Sequence, residues 1–112
     1  MEFLNKVELK GIVGNVRVQT YDDNVMARIQ ILTDYAYTAQ DGTLIVDTSW
    51  HQVIAWEGKK IQGLNRIAKG AKLHVVGRIR YQRYTGVDGV DRTSTEILAN
   101  EVNIIEDDVP ER

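Results

Sequence analysis

The sequence predicts an all-β domain, a five-stranded Greek-key barrel with one short helix between the third and fourth strands. Three observations carry this. Apolar residues recur at every second position in five separate segments, the period of a strand with one buried face. One segment alone, after the third of these, changes to helical spacing. The chain has 112 residues, enough for one core and not two.

The first strand is expected over Leu4 to Thr20. Val7, Leu9, Gly11 and Val13 alternate, then Val16 and Val18 resume out of phase after Gly14-Asn15. An extra residue there would be a β-bulge, which bends a strand as a closed barrel requires. Asp22-Asp23-Asn24 reads as a turn. Val25 to Thr33 sets Ala27, Ile29 and Ile31 on one face against Arg28, Gln30 and Leu32. A loop from Asp34 to Val46 follows, carrying the hairpin signal Asp41-Gly42. Val46 to Trp56 is the third strand. Glu57 to Lys69 is the helical candidate, with Ile61, Leu64, Ile67 and Ala68 at helical spacing and Lys69-Gly70 as its stop. Gly63 weakens it by about 1 kcal/mol relative to alanine. Ala71 to Tyr84 is the fourth strand, with Leu73, Val75, Gly77 and Ile79 facing one way and Lys72, Arg78 and Arg80 the other. A glycine-rich tip at 85–89 leads to the fifth strand, Arg92 to Ile105. Three strands, a helix and two strands fit the OB-fold better than an SH3-like barrel. Residues 1–105 form the domain and 106–112 a short acidic tail.

Composition removes several kinds of chemistry. There is no cysteine, so disulfides, thiolate metal sites and cysteine nucleophiles are excluded. The two histidines, His51 and His74, have no metal-ligand spacing around them. No Ser/His/Asp order or Walker loop is present, and the acidic pairs Asp22-Asp23 and Asp107-Asp108 read as a turn and a tail. The expectation is a protein that is not an enzyme and needs no cofactor. No apolar run approaches the roughly 20 residues that span a bilayer. The first residues lack the pattern of a signal peptide, so the cytoplasm is the expected location.

The formal net charge is −2, but it is unevenly spread. Nine of the fourteen basic residues lie between Lys59 and Arg92, opposed only by Asp88 and Asp91. From Thr93 onward six acids face Arg112 alone. A polyanion responds to the local field and not to the total.

Trp50 and Trp56 are six residues apart on one strand, so they share a face, with Gln52 and Ile54 between them. His51, Val53 and Ala55 form the smaller face, suited to a narrow barrel interior. The indoles then point outward. Two large rings on an outer face either pack under a loop or a second subunit, or stay open for a ligand. Tyr37, in the loop after strand two, and Tyr84, beside Arg83 near the glycine tip, extend the pattern. Cations interleaved with aromatics suit single-stranded nucleic acid: cations meet the backbone, and unpaired bases stack on flat rings whatever their sequence.

At these residues the chain resembles the bacterial single-stranded DNA-binding protein (SSB) family, from about Asn5 to Ile105. The carriers are Asn5-Lys6-Val7-Glu8-Leu9-Lys10-Gly11, Ala27-Arg28-Ile29 and Trp50-His51-Gln52-Val53-Ile54. Lys69-Gly70, Val76-Gly77-Arg78-Ile79-Arg80 and Asp91-Arg92-Thr93-Ser94-Thr95-Glu96-Ile97 complete them. The resemblance implies an OB-fold assembled as a homotetramer that binds single-stranded DNA in replication, recombination and repair. It implies base stacking on Tyr37, Trp50, Trp56 and Tyr84. It implies phosphate contacts from Lys6, Lys69, Arg80, Arg83 and Arg92, and places His51 near a subunit contact. The first strand, through Lys6, Glu8, Lys10 and Ile12, is the edge expected to pair with its copy.

Three departures stand out. Tyr37, Trp56 and Tyr84 occupy positions where other aromatics are common. The segment from Asp34 to Val46 holds no Lys or Arg, which predicts a shallower salt dependence. The tail, Asp107-Asp108-Val109-Pro110-Glu111-Arg112, lacks the long linker and terminal phenylalanine of the family, which puts recruitment of repair and replication proteins in question and points to a short or mobile-element member. A primosomal-adaptor-like protein working through protein contacts is the alternative function. An RNA-binding OB module is a further one, because a 2′-OH contact leaves no signature here.

Overall fold

The computed structural model describes residues 2–105; the acidic tail lies outside the described residues. Five strands, β1 (Val7–Tyr21), β2 (Asn24–Thr38), β3 (Leu44–Trp56), β4 (Lys72–Thr85) and β5 (Asp91–Ile105), form a closed barrel in the order β1-β2-β3-β5-β4. The three first strands form a meander and β4–β5 a hairpin, both antiparallel. Two seams join these pieces. β1 pairs with β4 from Val7↔Gly77 to Ile12↔Lys72. β3 meets β5 in parallel through only Val53↔Ile97 and Ile54↔Leu98.

Sequence accounts for most of this locally. Asp22 and Asp23 adopt positive φ angles of 48° and 71°, as a two-residue hairpin turn requires, and Asp is among the residues that tolerate this. The bulge expected at Gly14-Asn15 is present as a register shift between Val13 and Asn15. Val13, Ala27, Ile29, Ile31, Val53, Ala55, Leu73, Val75 and Ile97 fill the interior. Val18 stays exposed, although its alternation with Val16 suggested an inward position.

The helix expected over Glu57 to Lys69 does not form. Only Leu64–Arg66 makes a turn, of the 3-10 type, preceded by Gly63 in the left-handed region at φ 72°. Around it Gly58 N–H donates to Ile61 O and Ile67 N–H to Leu64 O, while a Glu57 carboxylate oxygen accepts from Leu64 N–H at 2.9 Å. Two glycines in this segment and local bonds of this kind compete with a helical ladder. Ile61, Leu64 and Ile67 are nevertheless buried and close one end of the barrel. Full burial of Leu64 stabilises by roughly 1.5–3 kcal/mol.

The segment 34–46 is not a loop. β2 and β3 remain paired out to Thr38↔Leu44, turning over a short tip held by Ala39, Asp41 and Gly42. β4 and β5 likewise stay paired to Thr85↔Asp91. Both hairpins thus run past the core. The radius of gyration is 16.8 Å, against about 13 Å for a compact chain of this length.

A candidate single-strand interface

The outer face of the meander is set by register. Trp50, Gln52, Ile54 and Trp56 alternate outward on β3. Opposite them on β2 stand Leu32, Gln30, Arg28 and Met26, and on β1 Asn15, Arg17 and Gln19. Six residues of strand separate the two indoles by about 20 Å. Trp50 is 58% exposed and Trp56 41%. Trp50 leans over the β1 bulge: a Cβ on Gly14 would lie 3.2 Å from its Cζ3 atom. Trp56 lies against Tyr21, ring centroids 6.2 Å apart at 48°. Ile54, expected outward between the indoles, is only 5% exposed, because it sits where β5 closes the barrel beside Leu98.

The two tyrosines stand elsewhere. Tyr37 lies within β2, not in a loop, and is 40% exposed. It follows Ile31 and Thr33 in phase, so it occupies the reverse face of the hairpin from Trp50, with Tyr35 at 6.0 Å between centroids. Tyr84 is 49% exposed on the β4–β5 hairpin. Arg80 and Arg92 share its face, and Arg83 points the other way.

The expected phosphate contacts divide in two. Lys6, Lys69 and Arg83 are exposed and, among the described residues, without an ion pair. Arg80 donates to Glu96 at 2.9 Å and to Gln82, and its Nε is buried without a partner. Arg92 donates to Asp88 at 2.7 Å.

At the expected subunit contact, β1 from Val7 to Gly11 has a ladder partner on the β4 side only. Asn5 extends that seam by side chain: Ile79 N–H donates to Asn5 Oδ1 at 2.9 Å, and Asn5 Nδ2 donates to Ile79 O at 2.8 Å. Glu8 meets His74 at 2.6 Å, and Lys10 is exposed. His51 Nε2 is 2.8 Å from Thr33 Oγ1. It borders a hollow of about 370 Å³ with Val7, Leu9, Ile79 and Ile97.

Sequence reading missed two features of the outer face. Tyr21 beside Trp56 follows from the two-residue turn that fixes the β1–β2 register. Arg17 and Arg28 stand directly opposite each other, which counting back along both strands from the two-residue turn at Asp22-Asp23 would have revealed. Among the described residues there is no group of three His, Asp or Glu side chains able to hold a metal. No helix there is long and apolar enough to cross a membrane.

The model of the single-strand binding protein family matches residues 4–105. The chain belongs to the single-strand binding protein family. Among curated relatives, the single-stranded DNA-binding protein of Xanthomonas axonopodis pv. citri (strain 306) is 38% identical over 106 residues, covering 91% of this chain and 58% of that protein. The mitochondrial single-stranded DNA-binding protein of Bos taurus is 27% identical over 118 residues, covering 97% of this chain and 80% of that one. The chain thus spans about three fifths of the bacterial relatives it matches first. Among solved structures, a Plasmodium falciparum SSB in complex with ssDNA superposes with a TM-score of 0.75 at 21% identity, covering 94% of this chain and 96% of that one. The single-stranded DNA binding protein from Thermus aquaticus gives the same TM-score at 19% identity. The closed five-strand barrel of this family member is therefore the SSB-type OB-fold.

Proposed function

We propose that this protein binds single-stranded DNA without regard to base sequence. The observation that carries the proposal is a family member with two well-exposed indoles on one outer face of β3. Leaving an indole half open forfeits burial free energy of order 1 kcal/mol or more, and a base stacked on it recovers that loss. Unpaired bases stack on Trp50 and Trp56. The strand then passes around the β2–β3 hairpin to Tyr37 and reaches Tyr84 on the other hairpin. Lys6, Lys69 and Arg83 meet phosphates directly. Arg80 and Arg92 do so on exchanging Glu96 and Asp88 for phosphate. Catalysis has no part in this.

The same reading makes the protein a homotetramer acting in the cytoplasm in DNA replication, recombination and repair, with β1 and His51 at subunit contacts. The adaptor alternative is not favoured, since the relatives are named as single-stranded DNA-binding proteins.

Titration with oligo-dT, followed by tryptophan fluorescence, tests the proposal. Strong quenching is expected. Trp50→Ala should weaken binding by about 1–3 kcal/mol with an unchanged circular dichroism spectrum. Unquenched fluorescence in the wild type would refute the proposal, and oligo-U competition separates DNA from RNA preference.

A further inference from the structure

Arg17 and Arg28 are directly opposite in the β1–β2 ladder. Like charges so placed disfavour the pairing. Among the described residues neither arginine forms an ion pair, whereas Arg80 and Arg92 both do. They line a depression of about 190 Å³ whose other walls are the amide residues Asn15, Gln30 and Gln52. On β1, β2 and β3 no acid occupies a register position on this face between Trp50 and Trp56, and Glu96, beside Gln52 on the β5 side, is already held by Arg80. Along β3 the arginines stand at the level of Ile54, between the indoles.

An uncompensated pair of planar guanidinium forks in a concave, amide-lined site matches a phosphate, which accepts two parallel N–H bonds from each fork. A lysine pair would offer point charges without that geometry. We infer that Arg17 and Arg28 form the main phosphate clamp of the interface, holding the sugar-phosphate backbone between bases stacked on Trp50 and Trp56. This rests on the single-strand reading and adds residues that the family resemblance did not supply. It also reassigns the electrostatics: the clamp is ready as it stands, while Arg80 and Arg92 must first leave carboxylates.

The test is oligo-dT titration at a series of NaCl concentrations, with Arg17→Gln, Arg28→Gln, the double variant and Arg66→Gln at the end of the barrel closed by the 3-10 turn. Each clamp substitution should reduce the magnitude of the log K against log salt slope by about 0.7, and the double by about twice that. Maximal quenching should persist, because the indoles are untouched. Arg66→Gln should leave the slope as in the wild type, and melting midpoints of the clamp variants should hold or rise. An unchanged slope in the double variant, while Trp50→Ala still weakens binding, overturns the clamp and leaves single-strand binding standing. An equal loss with Arg66→Gln overturns it in favour of a diffuse field. Unquenched wild type removes both readings.

Discussion

Glu8 illustrates how much a single exposed side chain reports. The hydrogen bond to His74 holds its carboxyl below the ordinary 4.5, helped by the imidazole charge and then by Lys6 and Lys10. A folded value below the unfolded one means that its contribution to stability is complete above pH 4.5 and is lost as pH falls through the lowered midpoint. Carboxyl NMR should place the Glu8 midpoint below 4.5, and His74→Ala should return it most of the way. A midpoint unmoved by that substitution would assign the shift to the lysines. The residue scale is also where sequence was hardest to read. Trp50 and Trp56 were legible because period two alone puts them on one face. Arg17 and Arg28 were legible only in pairs of strands: their meeting depends on the turn at Asp22-Asp23 being two residues long, which fixes the β1–β2 register.

Among the elements, β4 shows a constraint invisible in its pattern. Gly77 reads as one more inward position beside Leu73 and Val75. In the barrel it lies at a register shift, and a Cβ there would sit 2.3 Å from Leu98 O and 2.9 Å from Leu98 C. Both are backbone atoms, so no rotamer change relieves the clash. Gly77→Ala should destabilise by about 1–3 kcal/mol, read as a lower urea midpoint; an unaltered midpoint would show that the β4–β5 ladder yields. Strand existence was legible throughout, since alternation is strong in every one of the five. Strand ends were not. The stretch 34–46 is polar enough to pass for a loop, yet cross-strand pairing carries it as a hairpin arm and takes Tyr37 with it. The helix failed for the opposite reason. Ile61, Leu64 and Ile67 need only be buried at the barrel end, and a glycine-punctuated loop with one 3-10 turn achieves that.

For the whole molecule, the fold class followed from the number and sequence of the elements, while the order β1-β2-β3-β5-β4 and the pairing across the meander came from the structure. Assembly belongs to this scale. The one-sided stretch of β1 from Val7 to Gly11 lies beside the hollow under His51, which Trp50 and Glu96 also line, and the proposed tetramer would set a second copy against this edge. Sedimentation should give a mass about four times the 12.7 kDa of the chain, and a monomer would contradict the assembly.

The inequality of the two seams bears on how this chain is made. Synthesis delivers β1, β2 and β3 first, and each can pair with its neighbour as it emerges. Their sheet then waits, both borders bare, for a hairpin whose two strands come last. Joining Val53 to Ile97 closes a long stretch of polypeptide for two residue pairs, a loop-entropy cost met late and with little immediate return. Until that happens the nascent meander is a sticky ribbon with two unpaired borders, open to the wrong partner as well as to its own hairpin.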